Sequence, residues 1–210
     1  AFTNPEFFWE NYKDDKEELK KREKYIAKSP KHAYLYAKSI LKGPFPLGEE
    51  AISKDTQLAY SYANDVLNFP FPIGEKAISK DANFANAYAR NILKGSFPLG
   101  EEAIAKNGGF SYQYAKEVLN GPFPLGEEAI SKDTRLAYLY AHSVLKGPFK
   151  LGEEAIAKDA SFAYAYAKDV LKGPFPKGEA TIAKDYAYQY ARDVLKGPFP
   201  AGEEAIATEG

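Results

Sequence analysis

A block of 26 residues, Gly121 to Lys146 (GPFPLGEEAISKDTRLAYLYAHSVLK), recurs along this chain of 210 residues. The same text begins at Gly43, Phe69, Gly95, Gly147, Gly173 and Gly197. Recurrence at a fixed period constrains a fold more than any local signal does. Each copy must adopt one small supersecondary unit and bury its apolar face against the next.

Each copy carries two helical signals. In the copy starting at Gly43, Asp55 is placed as an N-cap. Leu58, Ala59, Tyr62, Ala63, Val66 and Leu67 then form an apolar stripe of period near 3.6. Lys closes most copies and suits the C-terminal dipole, and Gly43, Gly95, Gly121, Gly147, Gly173 and Gly197 are placed as left-handed caps. Asn68 stands in where Phe69 replaces the glycine. The first helix, Gly48 to Lys54, is too short to hold alone. Ile52, Leu47 and Phe45 are therefore expected to be buried, the last as a plug between two prolines.

The expected fold is all-α, an αα-hairpin tandem-repeat solenoid of period 26 with about seven units. Residues 1–22 are read as an N-terminal capping helix and 23–210 as one solenoid. It comprises a degenerate unit at 23–42, units starting at 43, 69, 95, 121, 147 and 173, and a half unit at 197–210, which is either a C-terminal cap or the edge of a longer array. Asn107-Gly108-Gly109 is a candidate flexible point. The unit starting at 173 is two residues short, so its second helix should begin later.

Composition excludes more than it identifies. The chain has no cysteine, hence no disulfide and no thiolate metal site or nucleophile. The formal net charge of -1 gives no field to gather nucleic acid or an anionic membrane. No apolar run approaches the roughly 20 residues of a spanning helix, and the first residues do not form a signal peptide as they stand. The pairs Glu49-Glu50, Glu101-Glu102, Glu127-Glu128, Glu153-Glu154 and Glu203-Glu204 look like catalytic carboxylates. They repeat identically at helix N-termini, however, where the dipole accounts for them, whereas an acid and a base need different environments. His32 and His142 occupy non-equivalent positions and have no cysteine or acidic cluster beside them. No catalytic, cofactor or metal residue is therefore assigned, and no enzyme is expected.

Three surfaces remain as candidates for partners. The first is the variable face of the second helix: Gln57, Ser61, Asn64, Arg90, Gln113, Lys116, Arg135, Leu139, His142, Lys168, Gln189 and Arg192. The second is an aromatic row, Tyr34, Tyr60, Tyr112, Tyr138, Tyr164 and Tyr188, broken by Asn86, whose rings could stack bases or sugars. A second row, from Tyr36 and Tyr62 to Tyr190, falls inside the stripe and reads as core. The third is a terminal docking segment, Phe7, Phe8 and Trp9, beside the helix start Asn4-Pro5-Glu6.

The phrases AYLYAHSVLKGPFKLGEEAIAKD and AYAYAKDVLKGPFPKGEATIAKD resemble tandem repeats of uncharacterised bacteriophage and some bacterial proteins. Their text is similar to Y-A-x-x-V-(L/I)-K-G-(R/P)-(F/W)-P-x-(G/A)-E-x-x-I. The resemblance covers Tyr25 to Ala207. It implies a helical array of phage-like origin and brings no catalytic residue with it; the expected setting is soluble, phage-encoded or in the bacterial cytoplasm, with the virion or the extracellular space as alternatives. The leading expectation is a non-catalytic helical-repeat scaffold or protein-binding module. The alternatives are a head-to-tail self-assembling filament, since heterologous contacts need not close, and single-stranded nucleic-acid or glycan binding along the tyrosine row.

Overall fold

The computed structural model describes residues 4–203 and 207; the Phe8 side chain, Glu204 of the last glutamate pair and residues 208–210 of the half unit lie outside the described residues. The described chain is helical, with no strand among the described residues. It divides into two compact units, Ala1–Ile104 and Ala105–Gly210.

The first unit opens with α1 (Pro5–Tyr12), α2 (Lys16–Lys21) and α3 (Glu23–Ile26). Asn4 caps α1 by accepting from the Glu6 N–H at 3.0 Å, and Asp15 caps α2 by accepting from the Glu18 N–H at 3.1 Å. The expected single capping helix is thus broken at Asp15, a strong N-cap residue that starts a new helix. Leu19 and Ile26 are fully buried. The remaining helices of the unit are α4 (Pro30–Leu35), α5 (Pro46–Ile52), α6 (Thr56–Tyr62), α7 (Glu75–Ile78), α8 (Ala82–Tyr88) and α9 (Pro98–Ala105). The second unit holds α10 (Gly108–Gln113), α11 (Glu127–Ser131), α12 (Thr134–Tyr140), α13 (Glu153–Ile156), α14 (Ala160–Ala165), α15 (Glu179–Asp185) and α16 (Ala187–Tyr190).

The expected N-caps form. Asp55 accepts from the Leu58 N–H at 2.8 Å and Asp133 from the Leu136 N–H at 2.8 Å. Ser29, Asp81, Asn107 and Asp159 hold the same position before α4, α8, α10 and α14. The short unit keeps its register by another route. Asp185 is absorbed into α15, no side chain caps α16, and that helix begins only at Ala187.

The helix ends differ from the sequence reading. Each second helix finishes in a widened, π-type turn, such as Ala63–Leu67 and Ala141–Leu145. The left-handed residue is then Lys42, Asn68, Lys94, Asn120, Lys146, Lys172 or Lys196, with φ between 50° and 53°, and no glycine among the described residues has positive φ. The N–H of Lys146 and that of Gly147 both donate to the Ala141 carbonyl. Widening the last turn moves the reversal to the residue before the glycine. These two bonds help offset the roughly 1–2 kcal/mol that a left-handed conformation costs an ordinary residue. Phe69 is accommodated for the same reason: its N–H donates to the Ala63 carbonyl, and the positive φ belongs to Asn68. Nothing in the structure explains the glycine that the other copies carry there.

The constrained glycine is the other one. A Cβ on Gly48 would lie 2.5 Å from the Phe45 ring and 2.7 Å from the Ala33 Cβ, and one on Gly152 would meet Phe149 at 2.5 Å and Ala137 at 2.7 Å. This close approach seats the phenylalanine plugs, all of which are buried. It also corrects the expectation for Leu47. The inward face of the turn is filled by Phe45 and Gly48, and Leu47 beside them points outward. Gly108 has a packing reason of its own, since a Cβ there would lie 2.7 Å from the Ala129 carbonyl oxygen.

Two substitutions separate the glycines. Gly152→Ala should destabilise by about 1–3 kcal/mol through overpacking. Gly147→Ala, whose nearest neighbour would be 3.9 Å away, should shift stability by less than about 1 kcal/mol, in the stabilising direction. Urea denaturation of the two variants measures both.

Candidate interaction surfaces

The repeated polar residues are largely occupied in holding the fold. Tyr62 is fully buried. Its hydroxyl accepts from the Phe45 N–H at 2.8 Å and donates to Glu49 Oε1 at 2.9 Å. Tyr88 does the same with Phe71 and Glu75 at 2.8 and 3.0 Å. In the second unit Tyr140 serves Phe123 and Glu127 at 2.9 Å each, and Tyr190 serves Phe175 and Glu179 at 2.8 and 3.0 Å. Each ring also meets the edge of the next plug, as in the Tyr62–Phe71 and Tyr140–Phe149 pairs at 5.0 Å between centroids. Burial and the adjacent carboxylate push these phenols up, against the pull of the backbone N–H, and Tyr166 and Tyr190 reach about 12. The hydroxyls therefore keep their protons and donate. Glu49, Glu127 and Glu153, each the first glutamate of its pair, are thus hydrogen-bond acceptors as well as dipole partners, a role that only the packed structure reveals.

The aromatic row is partly covered. Tyr60 packs on Phe84 and Tyr138 on Phe162, both at 5.5 Å, and Tyr164 stacks on Tyr186 at 5.2 Å. The Tyr34 hydroxyl donates to Asp65 at 2.6 Å and that of Tyr164 to Asp193 at 2.6 Å. Tyr60 accepts from Asn91 at 3.0 Å. A cation one helical turn on lies over several of these rings: Lys38 over Tyr34, Lys116 over Tyr112, Lys168 over Tyr164 and Arg192 over Tyr188. His142 stacks on Tyr138 at 5.6 Å. Tyr188 is the most open of the row, at 49% exposure. Asn86, at the break, is buried.

The variable face merges with this row. Gln57, Arg90, Lys116, Arg135, His142, Lys168 and Arg192 are exposed, while Ser61, Asn64, Gln113, Leu139 and Gln189 are half-buried. Lys168 pairs with Asp193 at 2.9 Å, Arg192 bonds the same carboxylate at 2.5 Å, and Asn64 donates to Asp65 at 2.9 Å. At the N-terminus Phe7 is exposed and edges onto Tyr12, whereas half-buried Trp9 lies 6.2 Å from the buried His32. Trp9 is therefore engaged with its own fold.

One exposed repeat position was not singled out from the sequence. Leu47, Ile73 and Leu99 in the first unit, and Leu125 and Leu151 in the second, are between 55% and 64% exposed. They occupy one repeat position, between the plug proline (Lys150 in one copy) and the packed glycine. The signal was available: Lys177 and Ala201 fill the same position, and a lysine is a poor tenant for a core site.

No protein-family model, curated protein or solved structure matches the chain. Among the described residues no helix is long and apolar enough to cross a membrane.

Two measurements check this geometry. Tyr140→Phe strands the buried Phe123 N–H and should cost about 1–3 kcal/mol, whereas Tyr138→Phe, which loses an exposed 3.5 Å contact, should stay within about 0.5 kcal/mol. Burial raises the Asp65 carboxyl, but its bonds from Lys38, Tyr34 and Asn64 outweigh that and hold it at about 2. With a folded value below the ordinary 3.8, its stabilising contribution is full above that pH and fades as pH falls toward 2. NMR titration of Asp65 should show a midpoint near 2; a midpoint near 3.8 would mean the tie does not form.

Proposed function

We propose that the chain is an αα-hairpin solenoid of period 26 acting as a non-catalytic scaffold that binds another protein. The observation that carries this reading is the recurring outward leucine or isoleucine, at Leu47, Ile73 and Leu99 and again at Leu125 and Leu151. Large apolar side chains repeated at one solvent-facing position are what a protein interface uses. The recurrence of the tyrosine bonds within each unit supports the architecture. The repeated glutamates and tyrosines that could pass for chemical groups have structural partners, which favours a scaffold over an enzyme. The tyrosine row is the weaker surface for bases or sugars, because neighbouring rings cover several of its faces and carboxylates sit at its hydroxyls.

A photo-crosslinking residue at Leu125, with one at the exposed Lys146 as control, tests the reading in an extract of the native host. The expected result is a discrete heterologous adduct from position 125 and none from position 146. Adducts only between copies of the chain would favour the filament, and equal labelling from both positions would remove the outward leucines as binding residues.

A further inference from the structure

The repeat states what each position of the first helix should carry, so its exceptions stand out as surface chemistry. One such position reads Glu50, Glu102, Glu128 and Glu154, with Lys76 and Ala180 in two other copies, and in the degenerate first copy it is Lys24. Lys24 stands at the rim of an open cleft of about 380 Å³ in the first unit. Leu47, Ala27 and Ala51 supply the apolar part of its lining, and Lys28, Lys54 and Glu50 complete the rim. Glu50 is bonded to Lys54 at 3.0 Å, which balances those two charges. Lys24 and Lys28 have no carboxylate within ion-pair distance among the described residues. Both ammonium groups lie near the Tyr25 ring, at 5.1 and 5.8 Å from its centroid.

The exposed leucine of the second unit at 151 has a different setting: the residues equivalent to Lys24 and Lys28 there are Glu128 and Lys132, which pair with each other at 3.0 Å. At Leu47 an outward leucine shares a cleft with two positive charges, Lys24 and Lys28, that no carboxylate pairs among the described residues; the equivalent residues before Leu99 are Lys76 and Lys80.

We propose that this cleft docks an acidic segment of a partner protein, with an apolar side chain seated on Leu47, Ala27 and Ala51 and carboxylates facing Lys24 and Lys28. The proposal rests on the protein-binding reading above and assigns the partner's chemistry at one place. Burial of the apolar anchor supplies most of the affinity. Exposed ion pairs contribute little individually but steer the encounter and reject partners of like charge, so the lysines set the choice. One repeat on, Ile73 is also exposed and Lys76 takes the glutamate position. Packed helices lie roughly 8–10 Å apart, so a helical partner with leucines two turns apart, roughly 10 Å, could address both sites.

The test is fluorescence anisotropy of the full chain against a labelled amphipathic peptide with two leucines two helical turns apart and flanking glutamates. A second peptide has lysines in place of the glutamates. The acidic peptide should bind at least tenfold tighter than the basic one, with affinity falling as salt rises. Lys24→Glu with Lys28→Glu should weaken the acidic peptide at least tenfold and improve the basic one. Leu47→Asp should abolish both, and Leu125→Asp should leave the acidic affinity within twofold. These side chains lie at the surface, and circular dichroism of each variant confirms that it is folded. Equal binding of the two peptides, or an unchanged affinity in the double lysine variant, would overturn the proposal. So would tighter binding to phosphatidylglycerol vesicles that the same variant abolishes. If Leu125→Asp alone removes binding, this cleft is excluded while the broader protein-binding reading stands; if neither peptide binds, the cleft is excluded and crosslinking from position 125 decides the broader reading.

Discussion

A buried phenol hydroxyl, held between a backbone N–H and a carboxylate, is the interaction on which the rest of the structure depends. The chain must leave each second helix, pass a proline-flanked phenylalanine and start a short helix that cannot persist alone. The N–H of Phe45 or Phe123 then sits in buried structure with no helical acceptor. An unsatisfied group of that kind would cost about 1–3 kcal/mol. Tyr62 and Tyr140 meet it, and Glu49 and Glu127 accept the hydroxyl's hydrogen bond in turn. One side chain thus fixes the plug, the start of the first helix and the body of the second. The short unit shows how strongly this is held: two residues are lost from the turn, yet Tyr190 still reaches both Phe175 and Glu179.

The two glycines of each copy divide the remaining work in a way that a residue count cannot reveal. One follows the helix and invites assignment as a left-handed cap, but the reversal falls on a lysine or asparagine, and Phe69 takes the glycine's place in one copy. The other opens the first helix and looks interchangeable with any small residue. It is the one with no space for a side chain, because the phenylalanine plug and a small residue of the second helix, alanine or in one copy Ser111, close on it. The same close approach accompanies an outward neighbouring leucine, so the packed core of each such copy leaves an apolar side chain on its surface.

Much of the helical framework was legible from the sequence. The N-caps, the buried Tyr36-to-Tyr190 row, the phenylalanine plugs and the late start of α16 follow from spacing and from capping chemistry. The π-type helix ends were not legible, since widening a turn by one residue leaves the apolar stripe unchanged and moves only the left-handed residue. The outward leucines were misplaced because hydrophobic character was taken to imply burial, although Lys177 at the same position argued otherwise. The glutamates were half understood: the dipole accounts for their place at a helix start, but their bond to a tyrosine 13 residues away appears only on packing. Because the copies share one text, their differences carry the information about partners. Lys24 in place of a glutamate is such a difference, whereas the candidate residues on the second helix are in several cases tied to neighbouring tyrosines and aspartates.

The central claim is that one tyrosine-centred unit, repeated in register, builds this protein. Excising residues 121–146 tests it most directly, since it removes one full period and rejoins equivalent positions. A matched deletion of half a period, which sets a first helix against a first helix, serves as the comparison. The account predicts that the in-register deletion folds with the parent's helicity per residue, unfolds cooperatively and loses only part of the stability, as stacked units do. The half-period deletion should not fold. Unfolding of both chains alike would contradict the account, because it would show that the copies are not interchangeable units.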